Sequence, residues 1–365
     1  MKIKSIETFS TQTICITRVR TDDGCEGIGQ IAPYHANISA LVLHQQIAPL
    51  ALGKDADPIA ELVEAIVTHE HKFPGSYVCR AVGGLDTALW DLKGKRLGKS
   101  VCELLGGTIG DIEVYGSSMR RDIMPEEEGE RLKRLQDKHG FRAFKFRIAN
   151  KFGNDVDVYP GRTEQIVPAV RRALGDDTLL YVDANSGFTP ARAIEVGRML
   201  EQYGVVHYEE PCPYPQLEWT KQVTDALKLN VTGGEQDTDL AQFQRMINMH
   251  AVDIVQPDIC YIGGLSRAIE VARMAQEAGM TCTPHAANLS MVTIFTMHMC
   301  GAIPNRGSFM EFSIESNDWT KDLFMEDFAV RDGKISIPDG PGWGITVRPK
   351  WLEKADYRIS ELRRN

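Results

Sequence analysis

Six polar residues, Asp183, Glu209, Glu235, Asp258, His285 and Glu311, stand at or near the ends of short apolar runs, in YVDAN, HYEEP, TGGEQ, IVQPD, CTPHA and SFMEF. Carboxylates and an imidazole are the side chains that hold hard cations and move protons. They recur at intervals of 26, 26, 23, 27 and 26 residues, about the length of one strand plus one returning helix. In a (β/α) barrel all strands point one way, so residues at their C-terminal ends converge on one face. Groups far apart in the chain would meet there.

Asp183, Glu209 and Glu235 end three successive runs, so their carboxylates are expected side by side, where mutual repulsion favours a shared cation. Oxygen ligands of this kind, completed by water and substrate, suit a six-coordinate ion such as Mg²⁺. Taken singly, each acid could equally be paired with a Lys or Arg. His285 follows Pro284, and Asp258 ends the neighbouring run after Pro257. A carboxylate beside an imidazole holds one tautomer and raises its pKa, giving a group for proton transfer, whereas a lone strand-end histidine is more often structural. In AFKFRI, Lys145 and Arg147 lie two apart and share a strand face. Lys145 could have a lowered pKa or donate to a substrate carboxylate, and Arg147 stays protonated and offers a fork for anions; a pair of salt-bridging cations is the bland alternative.

The elements that must position these residues are legible as eight candidate strands: Ile112 to Ser117, Ala143 to Ile148, Leu179 to Ala184, Val205 to Glu210, Asn230 to Glu235, Val252 to Asp258, Met280 to His285 and Gly307 to Phe312. Helix signals lie between them, such as Pro125 before an acidic turn with Gly140 after a basic tail, and Thr189-Pro190 before ARAIEVGRML. The N-terminal portion alternates apolar and polar residues around Asp23-Gly24, a hairpin pair, and turns helical from Ile38 to about Leu105. The fold expected is an α/β, TIM-type (β/α) barrel with a capping α+β domain. Residues 1–112 are assigned to the cap, 113–329 to the barrel and 330–365 to a segment returning to the cap.

At 365 residues the chain is longer than a bare barrel of roughly 250. Its net charge of −9 argues against nucleic acid and anionic membrane surfaces as partners. No apolar stretch approaches the roughly 18 residues of a membrane span, and MKIKSIETFS lacks an apolar signal core, so a cytoplasmic protein is expected. The eight cysteines are scattered without a CxxC pair, which fits buried thiols better than disulfides or a zinc site. His69-Glu70-His71 lacks HExxH spacing and reads as a solvated helix end, and Gly24, Gly27 and Gly29 do not form GxGxxG.

These motifs, with FRAFKFRI, VDAN, YEEP, GGE, QPD, TPH and MEF in order, resemble the enolase superfamily and its mandelate racemase subgroup over essentially the whole chain. GLDTALWDLKGKRLGKSVCELLGG and IPDGPGWGI resemble signatures of its capping module. The resemblance implies a modified (β/α)7β barrel, Mg²⁺ on Asp183, Glu209 and Glu235, and His285 with Asp258 as acid/base dyad. It further implies that Glu311 hydrogen-bonds a substrate carboxylate, that Lys145 and Arg147 form the opposite catalytic face, and that Asn185 lines the site. Glu210 is expected in the barrel wall or a salt bridge. Such enzymes use a Lys or His base beside Mg²⁺. A homo-oligomer, dimer or octamer, is implied too.

Where racemases of this subgroup carry a second lysine, this chain has Arg147, a poor base at any ordinary pH. The expectation is therefore dehydration of a sugar acid, an aldonate or aldarate, to a 2-keto-3-deoxy acid through an enediolate. His285 would protonate the departing β-hydroxyl and could also abstract the α-proton, with Lys145 or Arg147 as rival base. A protonated Glu311 would join Lys145 as a donor to the enediolate. The stretch EFSIESNDWTKDLF leans towards a lyxonate- or galactonate-like monoacid. Alternatives are a racemase, epimerase or cycloisomerase of another carboxylate, and a non-catalytic sugar-acid binding protein. The loop between IETFS and TICITRV is too short for the usual flap, so another segment is expected over the site, and Tyr34, His35, Tyr77 and Arg80 could reach down to read hydroxyls.

Overall fold

The computed structural model describes residues 1–150 and 152–362. Strands β1 (Ile3–Ser10), β2 (Cys15–Thr21) and β3 (Glu26–Ile31) form an antiparallel meander, and the strand Asp356–Glu361 returns from the far end of the chain to pair with β1. The β1–β2 turn is tight, closed by the Thr11 hydroxyl accepting from the amides of Thr13 and Ile14 at 3.2 and 3.0 Å. The outer edge of β3 meets the helix Gly75–Leu97 instead of a strand. Gly27 and Gly29 permit that approach, since a Cβ on Gly27 would lie 2.1 Å from the Ala88 carbonyl oxygen. The edge amides of Ile28 and Gln30 are satisfied by Asp91 at 2.7 Å and by the Thr87 hydroxyl at 3.2 Å. These glycines serve close packing.

The second sheet is parallel: β4 (Asp111–Ser117), β5 (Ala143–Arg147), β6 (Leu179–Asp183), β7 (Val205–Glu209), β8 (Asn230–Gly233), β9 (Ile254–Val255), β10 (Thr281–Cys282) and β11 (Met310–Ser313). Each pairs with its neighbour in sequence as far as β10, and β11 pairs with β4. A bridge between Cys282 and Arg306, just before β11, joins the two ends of the sheet. The eight expected strands are all present in a barrel with a cap. β9 and β10 are shorter than expected because Pro257 and Pro284 have no amide to continue the ladder. Beyond them an isolated parallel bridge still sets Asp258 beside His285.

Between the strands run the expected helices. Pro125–His139 begins with Pro and three glutamates and ends at Gly140 in the left-handed region, φ 73°. Helix Met291–Cys300 is buried at every position because the cap and the C-terminal loop cover it, with Trp343 packed on Phe295 at 4.4 Å between ring centroids. The segment after Val330 divides between the two sheets: Lys334–Ser336 pairs antiparallel with the start of β4, and only Asp356–Glu361 joins the cap sheet.

Two acids of the helix Gly75–Leu97 fasten cap to barrel. Asp86 accepts the amides of Leu265 and Ser266 at 2.6 and 3.3 Å, capping the barrel helix Leu265–Glu277, which has no capping side chain of its own. Asp91 accepts from Ile28 in the cap sheet and from the amide of Trp343 at 2.9 Å, and pairs with Lys95 at 2.7 Å. Among the described residues no helix is long and apolar enough to cross a membrane.

Candidate active site

The register of the parallel sheet sets side chains in rows across the barrel. Arg147, Asp183 and Glu209 are opposite one another, and one step lower so are Lys145, Tyr181 and His207. Because strand side chains alternate, both rows face the same interior. Glu235 follows β8 by two residues at Gly234, whose φ of 115° turns the chain where the next side chain can face the same centre.

Carboxylate oxygens of Asp183, Glu209 and Glu235 lie within 4.8 Å of one another, and all three residues are buried. Asp183 accepts the Asn185 amide at 2.6 Å and its side-chain amide at 3.2 Å, and pairs with Arg147. Glu209 accepts from Lys145 at 2.7 and 2.8 Å and from Gln256 at 2.9 Å. Against the cost of burial, Lys145 and His207 hold the Glu209 carboxyl well below its usual range. One oxygen of Glu235, Oε2, is buried with no hydrogen-bond partner and lies 3.3 Å from Nε2 of His285. Burial and the neighbouring Glu209 raise the Glu235 pKa, with His285 opposing. Three clustered carboxylates, one with an orphaned oxygen, fit a hard divalent cation such as Mg²⁺.

His285 donates from Nδ1 to Asp258 at 2.8 Å, which leaves Nε2 towards Glu235 and the cavity. Burial disfavours the imidazolium, but Glu235, Glu311 and Asp258 together raise its pKa to about 10. Asp258 is itself fixed by the amides of Cys260 and Tyr261 at 2.8 and 3.0 Å, as N-cap of the short helix Ile259–Ile262. The dyad is therefore rigid.

Two expectations need correction, and one of two alternatives falls away. Lys145 shifts upward, not downward: burial opposes its charge, but Glu209 and Glu311 outweigh that. It is fully buried beneath the mouth, whereas Arg147 on the same face lines the cavity. Glu311 accepts from Ser117 at 2.7 Å, the Ala286 amide at 2.8 Å and Lys145 at 2.7 Å. Burial notwithstanding, Lys145 and His285 lower its pKa, so it is an acceptor and not a protonated donor. Of the two placements expected for Glu210, the salt bridge is not formed among the described residues, and the residue is buried. Its φ is 41°, its Oε1 is buried without a partner, and burial with the charges of Glu235 and Glu209 drives its pKa well up.

Above this floor opens a cavity of about 640 Å³. Arg147, Asn185, Glu235 and His285 reach it from the barrel, and Tyr34, His35, Ser76, Tyr77 and Arg80 from the cap. In place of a flap from the β1–β2 turn, the loop after β3 covers the mouth. Its Tyr34 and His35 both have left-handed backbone, φ 64° and 50°, and Tyr34 packs edge-on against Trp319 at 5.7 Å, from the segment after β11.

Some site residues escaped the sequence reading. Gln256 donates to Glu209, and His207 contacts both Glu209 at 3.4 Å and the Thr232 hydroxyl at 2.9 Å. The period of two in HYE was the available signal for His207. Arg121, after β4, donates to the Ala149 carbonyl at 3.0 Å and to Asn185 at 2.7 Å. Burial, with Arg147 and Arg162 nearby, lowers its pKa to about 10. No motif marked it, because its role depends on loops meeting across three strands.

Residues 127–351 match the enolase C-terminal domain-like family, and residues 2–106 match the mandelate racemase/muconate lactonizing enzyme N-terminal domain. An arabinonate dehydratase of Saccharolobus solfataricus is 29% identical over 349 residues, covering 93% of this chain and 90% of its own. A D-galactarolactone cycloisomerase of Agrobacterium fabrum is 30% identical over 355 residues, covering 93% and 90%. A crystal structure from Roseobacter denitrificans, described provisionally as a racemase, superposes with a TM-score of 0.98 at 54% identity, covering 99% of this chain and 100% of its own. The chain belongs to the mandelate racemase subgroup of the enolase superfamily.

Proposed function

We propose that this enzyme dehydrates an acid sugar, removing the proton α to its carboxylate and the hydroxyl β to it to form a 2-keto-3-deoxy acid. The observation that carries the reading is the pairing of one well-oriented acid/base group with one guanidinium. His285 presents Nε2 to the cavity with Nδ1 fixed on Asp258, while Arg147 is held on Asp183. Racemisation by two bases needs a second group that gives up a proton readily, and an arginine does not. Lys145, the rival base, is enclosed by Glu209 and Glu311 away from the mouth.

Asp183, Glu209 and Glu235 would hold Mg²⁺, which supplies positive charge to the substrate carboxylate as the α-proton leaves. With Glu235, the largest of the charges that favour the imidazolium, offset by the cation it would hold, Nε2 of the neutral His285 ring takes the α-proton, and the C–H electron pair moves into the carboxylate to give an enediolate. The Asp258 carboxylate on Nδ1 steadies the imidazolium so formed. That imidazolium then protonates the β-hydroxyl, the C–O bond breaks, water departs, and the enol tautomerises to the 2-keto acid. Lys145 steadies Glu209 and Glu311 beneath the reacting carboxylate. The cap and Tyr34 limit bulk water.

The name of the Saccharolobus solfataricus relative supports the reaction class, and that of the Agrobacterium fabrum relative supports a cycloisomerase as second reading. Incubation with an acid-sugar library, with Mg²⁺ and with EDTA, separates them. A 2-keto acid formed only with Mg²⁺ is expected. Exchange of the α-hydrogen for deuterium without water loss would overturn dehydration in favour of a racemase or epimerase, and conversion of a lactone would favour the cycloisomerase. Binding without turnover would leave a sugar-acid binding protein.

A further inference from the structure

The cap wall of the cavity carries a cation that the mechanism does not use. Arg80, from the helix Gly75–Leu97, stacks its guanidinium 3.6 Å from the ring centroid of Tyr261 and forms no ion pair among the described residues. The cations of the floor are engaged: Lys145 with Glu209 and Glu311, and Arg147 with Asp183. Arg121, the other lining guanidinium, is occupied as a tether of Ala149 and Asn185. The Arg80 guanidinium is held over the Tyr261 ring, and the edge of a guanidinium is a fork that matches a carboxylate. A ligand that lies with one end at Glu235 and His285 and the other under the cap meets this fork within one cavity.

Resting on the dehydratase reading above, we propose that the substrate is a dicarboxylic acid sugar, an aldarate, whose second carboxylate is bound by Arg80. This departs from the monoacid towards which the segment after β11 leans. A purely structural Arg80, clipping Tyr261 and its helix beside His285, makes the opposite forecast, because the affinity for a second carboxylate would then not depend on it.

Calorimetric titration in Mg²⁺ with matched pairs of identical configuration, glucarate against gluconate and galactarate against galactonate, tests this on the wild type, R80Q and R80K. The wild type is expected to bind the diacid of at least one pair roughly 10- to 100-fold more tightly, the worth of a hydrogen-bonded charge pair. R80Q should bring that ratio close to one, and R80K, with charge but no fork, should fall between. Should R80Q not melt cooperatively, R80K carries the same comparison. Monoacids bound as tightly as diacids in both pairs, a preference surviving R80Q intact, or no binding of either diacid would overturn the proposal. Dehydration of a monoacid without diacid preference would overturn it and leave the dehydratase reading standing, whereas absence of 2-keto acid from the whole library bears on that reading.

Discussion

At the scale of single residues, the site is governed by which charges touch. His285 has one nitrogen fixed on Asp258, and the other, 3.3 Å from Glu235, faces the cavity. The substitution H285N keeps a polar side chain of similar size but cannot take up a proton. Turnover should drop by about 10²- to 10⁴-fold, the usual worth of a positioned acid/base group. The variant's melting curve should remain cooperative. Full activity in H285N would remove this residue from the mechanism. D258N tests the orientation separately: an amide in place of the carboxylate no longer holds Nδ1–H in the same way, and kcat should fall with little change in KM. Arg147 in place of a lysine is the residue-level choice that directs the reading to water loss, since a guanidinium binds anions without exchanging protons at ordinary pH.

At the scale of elements, the helix Gly75–Leu97 is the beam between cap and barrel. Replacing Asp91 with Ala strands the buried amides of Ile28 and Trp343, and each unsatisfied donor costs about 1–3 kcal/mol. D91A should lower the urea midpoint accordingly, and an unchanged midpoint would show that the seam is held elsewhere. A second joint lies on the helix Met291–Cys300. His298 accepts the Cys102 amide at 3.1 Å through Nδ1, so it is neutral, and donates from Nε2 to the Trp343 carbonyl at 3.1 Å. Burial lowers its pKa to about 4. The unfolded chain, with an ordinary histidine near 6.5, binds the proton first, so stability is retained above about pH 6.5 and lost as pH falls towards about 4. The loss reaches about 3 kcal/mol. Melting temperatures of wild type and H298Q across that window should diverge, with the wild type showing the steeper decline. Parallel slopes would contradict the assignment.

At the scale of the whole molecule, the cluster of Asp183, Glu209 and Glu235 draws on three strands, so an ion bound there ties β6, β7 and the end of β8 together. Mg²⁺ that binds only the folded chain raises stability by about 2.7 kcal/mol at a free concentration 100 times its Kd. The melting temperature of the wild type should climb with Mg²⁺ and fall back on EDTA, while E235Q should respond weakly. A wild type indifferent to Mg²⁺ would sink the metal assignment. Both the mouth and its cover depend on the assembly too: Tyr34 and Trp319 belong to loops 285 residues apart in the chain.

Much of this architecture could be read from the chain itself. Apolar runs ending in polar residues at nearly constant spacing are a direct imprint of parallel strands and returning helices, so the barrel, its eight strands and the meeting of Asp183, Glu209, Glu235, Asp258 and His285 were legible. Gly27 and Gly29 were visible as glycines, but their purpose, admission of a helix to the edge of β3, was not. Protonation was also beyond the sequence. Lys145 shifts up against Glu209 and Glu311, Glu311 down against Lys145 and His285, and Glu210 up because it is buried beside Glu235 and Glu209. Periodicity determines which way a side chain points along its own strand. Only the tertiary structure decides depth, partner and cover, because those are set by distances between elements, and electrostatic energies in a buried site change steeply over a few ångströms.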